Sequence, residues 1–126
     1  MSHRCRVLVV DDDADLRDSV VDAVSALGHD AVWACDGIEA IALLASDPLP
    51  DVILLHLMMP RMDGVAFRGA QLAEPRLRGI PVVVLSASEA VGVREQLGVA
   101  ELHRKPVGLS MLGGILRRQC PPTPTG

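Results

Sequence analysis

The chain has almost no aromatic residues. Of its 126 residues only Trp33 and Phe67 carry such rings, and tyrosine is absent. A surface that stacks nucleobases needs those rings, so that mode of nucleic-acid binding is excluded. Excess positive charge is lacking as well. Twelve basic residues face sixteen acidic ones, for a net charge of −4, and a clustered basic footprint is missing. No apolar run approaches the roughly 18 residues of a membrane span. The opening "RCRVLVVDDD" has a short apolar run that ends in three acids. It offers neither the core nor the cleavage site of a signal peptide. The expectation is a cytoplasmic chain with no nucleic-acid or membrane partner. The three cysteines, Cys5, Cys35 and Cys120, lie far apart with no CxxC pair. They read as small buried thiols rather than as a metal or redox framework.

What is present is a strongly apolar chain, 49% hydrophobic, of a length that suits one core in one domain. Apolar runs alternate with amphipathic stretches. Strands are expected over 6–10, 30–35, 51–55, 80–86 and 100–105. Helices are expected over 14–28, 37–46, 64–74, 89–98 and 107–119. In the first helix Leu16, Val20, Val24 and Leu27 recur at helical spacing, and Gly28 is the stop. In the second, Ile38, Ile41 and either Leu43 or Leu44 form the inner face. Gly69 and the Gly113-Gly114 pair each cost their helices about 1 kcal/mol per glycine relative to alanine. Five strands alternating with five helices predict an α/β fold, a doubly wound parallel sheet covered on both faces. Residues 1–119 form the domain, and 120–126, with "PPTPTG", read as a flexible proline-rich tail or linker.

In such sheets the site lies beyond the carboxyl ends of the strands. Strand one ends in Asp11-Asp12-Asp13, strand three in His56, strand four in Ser86-Ala87 and strand five in Lys105-Pro106. Parallel strands bring these tips together: carboxylates, an imidazole, a hydroxyl and an ammonium. Asp13 or Asp15 suits the cap of the next helix. Asp63, in an Asp-Gly turn, suits the cap of the third. His3 and His29 read as surface residues, and Met58 and Met59 as loop packing.

Four pieces in this order, "VLVVDDD" (7–13), "DVILLHLMMPRMDG" (51–64), "PVVVLSAS" (81–88) and "KP" (105–106), carry a resemblance. The chain, from about residue 5 to 119, resembles the CheY-like receiver domain of two-component response regulators. The resemblance implies a (βα)5 sheet of strand order 2-1-3-4-5. It implies that Asp11, Asp12 and the backbone carbonyl of Met58 hold Mg²⁺. Ser86 would contact a phosphoryl group, small Ala87 would leave access to it, and Lys105 would neutralise its charge. The Lys105–Pro106 bond would be cis. The family's phosphoacceptor is an aspartate at the tip of strand three, where this chain has His56. Its aromatic switch falls on Leu102, beside His103 on the opposite face.

These departures shape the functional expectation. Imidazole cannot form an acyl phosphate, and it removes an oxygen that Mg²⁺ prefers. Two neighbouring carboxylates also favour a protonated ring. Mg²⁺ is therefore expected to bind weakly, and no cofactor is required. Leu102 has no polar tip to swing, and the segment from Ser86 to Lys105 is shorter than usual. The expected function is a non-enzymatic signalling module that works by protein–protein contact without aspartyl phosphorylation. Its partners would be a sensor histidine kinase or a downstream effector, and a homodimer is one compatible assembly. The contact surface would be drawn from the helices over 14–28, 89–98 and 107–119 and the strand over 100–105. Two other readings stand beside it. One is an ordinary phospho-accepting receiver whose aspartate has been replaced by His56. The other is a transition-metal site built from Asp11, Asp12 and His56. Direct phosphorylation of His56, and Asp63 as a substitute acceptor, complete the set.

Overall fold

The structure, a computed structural model, describes residues 4–56, 63–86, 97–105 and 107–120. Its elements are β1 (Arg6–Val10), α1 (Ala14–Ala26), β2 (Asp30–Ala34), α2 (Gly37–Leu44), β3 (Val52–Leu55), α3 (Gly64–Ala73), β4 (Val82–Ser86), β5 (Glu101–Arg104) and α4 (Leu109–Gln119). The helix expected over 89–98 falls almost wholly outside the described residues, as do Met58, Ala87 and Pro106.

All five strands are parallel and lie in the order β2-β1-β3-β4-β5. That is the order implied by the family resemblance. β3 sits in the middle, and its four residues are fully buried. An unbroken apolar run is what a strand covered on both faces requires. Alternation divides the strand residues between two cores. Leu8, Val10, Ile53, Leu55, Val82 and Val84 meet α2 and α3 on one face, around Phe67 and Leu44. Val7, Val9, Val52, Leu54, Val83 and Leu85 meet α1 and α4 on the other, around Val24, Ile115 and Leu116.

The helix ends follow local chemistry. Asp13, Asp36 and Asp63 each cap a helix, accepting from the backbone N–H of Leu16, Glu39 and Ala66. Such a carboxylate satisfies one of the orphan donors of the first turn. α1 stops at Gly28, whose φ of +91° is left-handed. The His29 N–H then reaches Val24 O at 3.2 Å and the Gly28 N–H reaches Ser25 O at 3.0 Å, a Schellman motif.

Three expectations need correction. On α1, Val20, Val24 and Leu27 face the core as expected, but the first position of the stripe does not: Leu16 is exposed, while Arg17 is buried. The Arg17 guanidinium lies 3.9 Å from the centre of the Trp33 ring on edge strand β2, so its stem covers an apolar surface that a leucine would otherwise cover. On α2, Ile38 and Leu43 are exposed and Ala40 and Leu44 are buried. Finally, Cys5 and Cys120 are not separate thiols. They are bonded to each other across 115 residues of sequence, with Cα atoms 5.9 Å apart. Cys120 is therefore buried in the domain, not part of the tail. Only Cys35 is free.

Candidate functional site at the strand tips

The parallel register delivers the site. β1 and β3 end level, with Val10 paired to Leu55, so Asp11 and His56 emerge side by side. The backbone continues the sheet for one step beyond each strand: Asp11 N–H donates to Ala34 O at 3.1 Å and His56 N–H to Val10 O at 2.9 Å. On the far side Ser86 pairs with Arg104, and Lys105 N–H donates to Ser86 O at 2.7 Å. Four tips that are distant in sequence thus share one edge.

Asp11 is buried, 3% exposed, and Asp12 is exposed. A buried carboxylate needs partners. Lys105 Nζ donates to Asp11 Oδ2 at 2.7 Å, and the Asp13 N–H donates to Oδ1 at 3.0 Å. Lys105 is the one lysine among the chain's twelve basic residues. Its Nζ also stands 3.2 Å from His56 Nδ1. An ammonium can only donate, so this contact is a hydrogen bond when Nδ1 carries no proton, and a proton on Nδ1 would instead face Leu85 O at 3.4 Å. The cation paired to Asp11 is Lys105. Ser86 is buried at the same edge.

Asp11, Asp12 and His56 each offer a ligand atom, and these atoms lie within 4.8 Å of one another. Leu102, on β5, packs against the α2–α3 core. His103 points to the other face, as strand alternation predicts, where its Nε2 meets Glu101 Oε1 at 2.8 Å. The expected cis bond at Pro106 lies outside the described residues. Asp63 caps α3 through the Ala66 N–H at 2.9 Å.

Two polar clusters escaped the sequence reading. Arg68 and Gln71, both buried on α3, tie loops to the sheet. Arg68 donates to Gln71 Oε1, Leu97 O and Gly98 O, at 2.7, 2.9 and 2.8 Å. Gln71 Nε2 donates to Leu77 O and Ile80 O. Burial pulls the Arg68 pKa below its usual value. Glu101 is the second hub. Burial alone would raise its pKa, but hydrogen bonds from Arg118, Gln119 and His103 outweigh it and hold the carboxyl at about 2. Nothing in an alternating strand announces that its partners lie on α4.

The same fold occurs among known proteins. The sequence matches the response regulator receiver domain over residues 7–113, and the chain belongs to that family, the signalling modules of two-component systems. It is 36% identical to the response regulator MprA of Mycobacterium tuberculosis, across 92% of this chain and 52% of that protein. It is 37% identical to MprA of Mycolicibacterium vanbaalenii, with the same coverage. The chain thus spans about half the length of these relatives. Among solved structures it resembles the receiver domain of a sensor histidine kinase from Pseudomonas aeruginosa PAO1, which has a magnesium ion coordinated in its active-site cleft. That pair shares a TM-score of 0.84 and 26% identity, over 93% of this chain and 98% of that one. A chemotaxis protein CheY4 from Vibrio cholerae gives the same TM-score and identity, over 93% and 99%. Among the described residues no helix is long and apolar enough to cross a membrane.

Proposed function

We propose that this receiver domain signals through protein–protein contact without aspartyl phosphorylation, because His56 occupies the position of the family's phosphoacceptor. The observation that carries the reading is the Lys105–Asp11 pair with His56 Nδ1 held beside it. The ammonium already neutralises the buried carboxylate that a metal would need, and the group facing both is an imidazole. A nitrogen base at that point has no carboxyl oxygen to phosphorylate. The donor set also fits Mg²⁺ poorly. The ion wants oxygen ligands in near-octahedral order, whereas here two carboxylates stand with one nitrogen and both oxygens of Asp11 are engaged. Weak Mg²⁺ binding, with no cofactor required, follows from that chemistry.

On this reading Asp11 and Asp12 keep the metal position with the Met58 carbonyl, and Ser86, Ala87 and Lys105 keep the phosphoryl position. Leu102 replaces the switch aromatic and is fixed by its packing. Output through β5, α1, α4 or the residue 89–98 segment, toward a histidine kinase or an effector, is then independent of a phosphoryl group. The domain covers 1–119 together with Cys120. Exposure to acetyl phosphate with Mg²⁺, followed by intact mass spectrometry, tests the proposal. The chain should gain no phosphoryl mass, and uptake of one phosphoryl group per chain overturns it. The His56→Asp variant addresses the neighbouring reading, a normal receiver silenced by one replacement. Phosphoryl uptake by the variant supports that reading, and failure of the variant to take it up removes it.

The mutual approach of Asp11, Asp12 and His56 within 4.8 Å favours one further reading. Two carboxylates and an imidazole suit a first-row transition ion better than Mg²⁺. Calorimetry with Zn²⁺, Mn²⁺ and Ni²⁺ decides it, because a site worth the name binds more tightly than about millimolar.

A further inference from the structure

Cys5 stands at the foot of β1, 1% exposed, and Cys120 caps the C-terminus of α4, 5% exposed. Their sulfurs are bonded although the residues are 115 apart in sequence. The pair lies in the core shared by α1 and α4, at the opposite end of the sheet from Asp11 and His56. A ring nitrogen of His29 lies within 4.8 Å of both sulfurs. That ring is fixed, because the Cys5 N–H donates to His29 Nδ1 at 3.0 Å. The remaining thiol behaves differently. Cys35 Sγ donates to Glu39 Oε2 at 3.0 Å, and this bond, with burial and the charge of Glu39, raises its pKa above the usual 9.0. Cys35 thus stays a thiol and a poor nucleophile.

The residues just before Cys120 connect this pair to β5. Arg118 NH2 donates to Glu101 Oε1 at 2.6 Å and Gln119 Nε2 to Glu101 Oε2 at 2.5 Å. Glu101 in turn receives His103. The last turn of α4 is therefore held at one end by the sulfur bond and on its flank by Glu101.

We propose that Cys5 and Cys120 form a redox-active dithiol–disulfide site whose reactant is a low-molecular-weight disulfide of the glutathione type, and whose oxidised state locks the last turn of α4 onto β5. The Cys120 thiol, at the helix end, loses its proton and attacks the small disulfide. A mixed disulfide forms and one small thiolate leaves. The Cys5 sulfur then loses its proton, attacks Cys120 and expels the second thiolate. The two protons end on the two small thiolates. The two cysteines are oxidised and one small disulfide is reduced to two thiols. The reverse sequence, driven by excess small thiol, reopens the bond. In a reducing compartment the pair rests as a dithiol, so closure carries information. It would reach the Glu101 cluster through Arg118 and Gln119. None of this depends on what His56 can accept.

The test equilibrates the whole chain in glutathione–glutathione disulfide buffers, traps free thiols by alkylation and counts them by mass spectrometry. Amide spectra of Glu101, His103, Arg118 and Gln119 are recorded alongside. The free-thiol count should fall from three to one on oxidation and return to three on reduction of the folded protein, and those four amides should shift between the states. A Cys35→Ser chain should give two and none. Several results overturn the proposal: no intramolecular bond, a bond that small thiols reopen only after unfolding, or amide shifts confined to Cys5, His29 and Cys120. Tight uptake of one Zn²⁺ by the reduced chain that blocks oxidation also overturns it, in favour of a metal site. If a Cys5→Ala/Cys120→Ala chain folds, its β5 amides should match the reduced form in every buffer.

Discussion

Lys105 and Asp11 face each other at 2.7 Å with side chains 11% and 5% exposed. Removing one partner of such a pair strands the other charge out of water. Lys105→Met should therefore lower stability by about 3 kcal/mol, measured by urea unfolding. Asp11→Asn in the same chain should recover much of the loss, because no buried anion is then left unpaired. An unchanged midpoint in Lys105→Met would show that water already screens the pair. At this scale the site was largely legible. Asp11, Asp12, His56 and Ser86 lie at the ends of apolar runs and Lys105 at the end of the edge strand, and parallel pairing allows such ends one common edge. What the sequence could not supply was the pairing itself. Lys105 reaches Asp11 across 94 residues. Glu101 was missed for a related reason: its partners Arg118 and Gln119 lie on a different element, and no local pattern links them.

At the scale of the element, two glycines should respond in opposite senses. Gly28 is left-handed at φ +91° and closes α1, so Gly28→Ala should destabilise by about 1 kcal/mol. Gly69 lies inside α3, and an added Cβ would meet nothing within 4 Å. Gly69→Ala should stabilise by about 1 kcal/mol. Thermal unfolding of both variants checks the pair, and a shared sign would contradict the assignment of one helix end or one helix interior. Gln71 is fully buried and serves Arg68 and two loop carbonyls. Gln71→Leu leaves all three without that partner and should cost about 2–4 kcal/mol in denaturant unfolding. Helix positions were readable from periodicity, but the exchange of Leu16 for Arg17 at the first inner position of α1 was not. Leu16 fits the apolar count better than Arg17. Only the Trp33 ring on the neighbouring edge strand makes an arginine the better inner residue. Buried Arg68 and Gln71 were likewise invisible, because a polar residue on a helix reads as solvent-facing until the loops it serves are known.

On the scale of the whole molecule, the sheet order follows from the family resemblance, and the two-faced covering from uninterrupted apolar strands. The tie between the chain's two ends does not, because cysteines at 5 and 120 have no spacing that signals proximity. Acid stability is a property of the whole sandwich, and Glu101 contributes to it. Its folded carboxyl is held near 2, against a usual value of 4.5. Its contribution is thus complete above about pH 4.5 and fades as the pH falls toward 2. Unfolding midpoints followed from pH 5 to 2 should fall less steeply in Glu101→Gln, and an identical slope would remove Glu101 from the account. The central claim concerns His56, and it is tested most directly by NMR. Mg²⁺ and then beryllofluoride are titrated into the chain and into His56→Asp, with the amides of Asp11, Asp12, Ser86 and Lys105 observed. The account predicts that these signals stay in place in the chain itself, and movement in the variant alone supports the neighbouring reading of a receiver silenced by that one replacement. A saturable response to beryllofluoride with His56 present would contradict it.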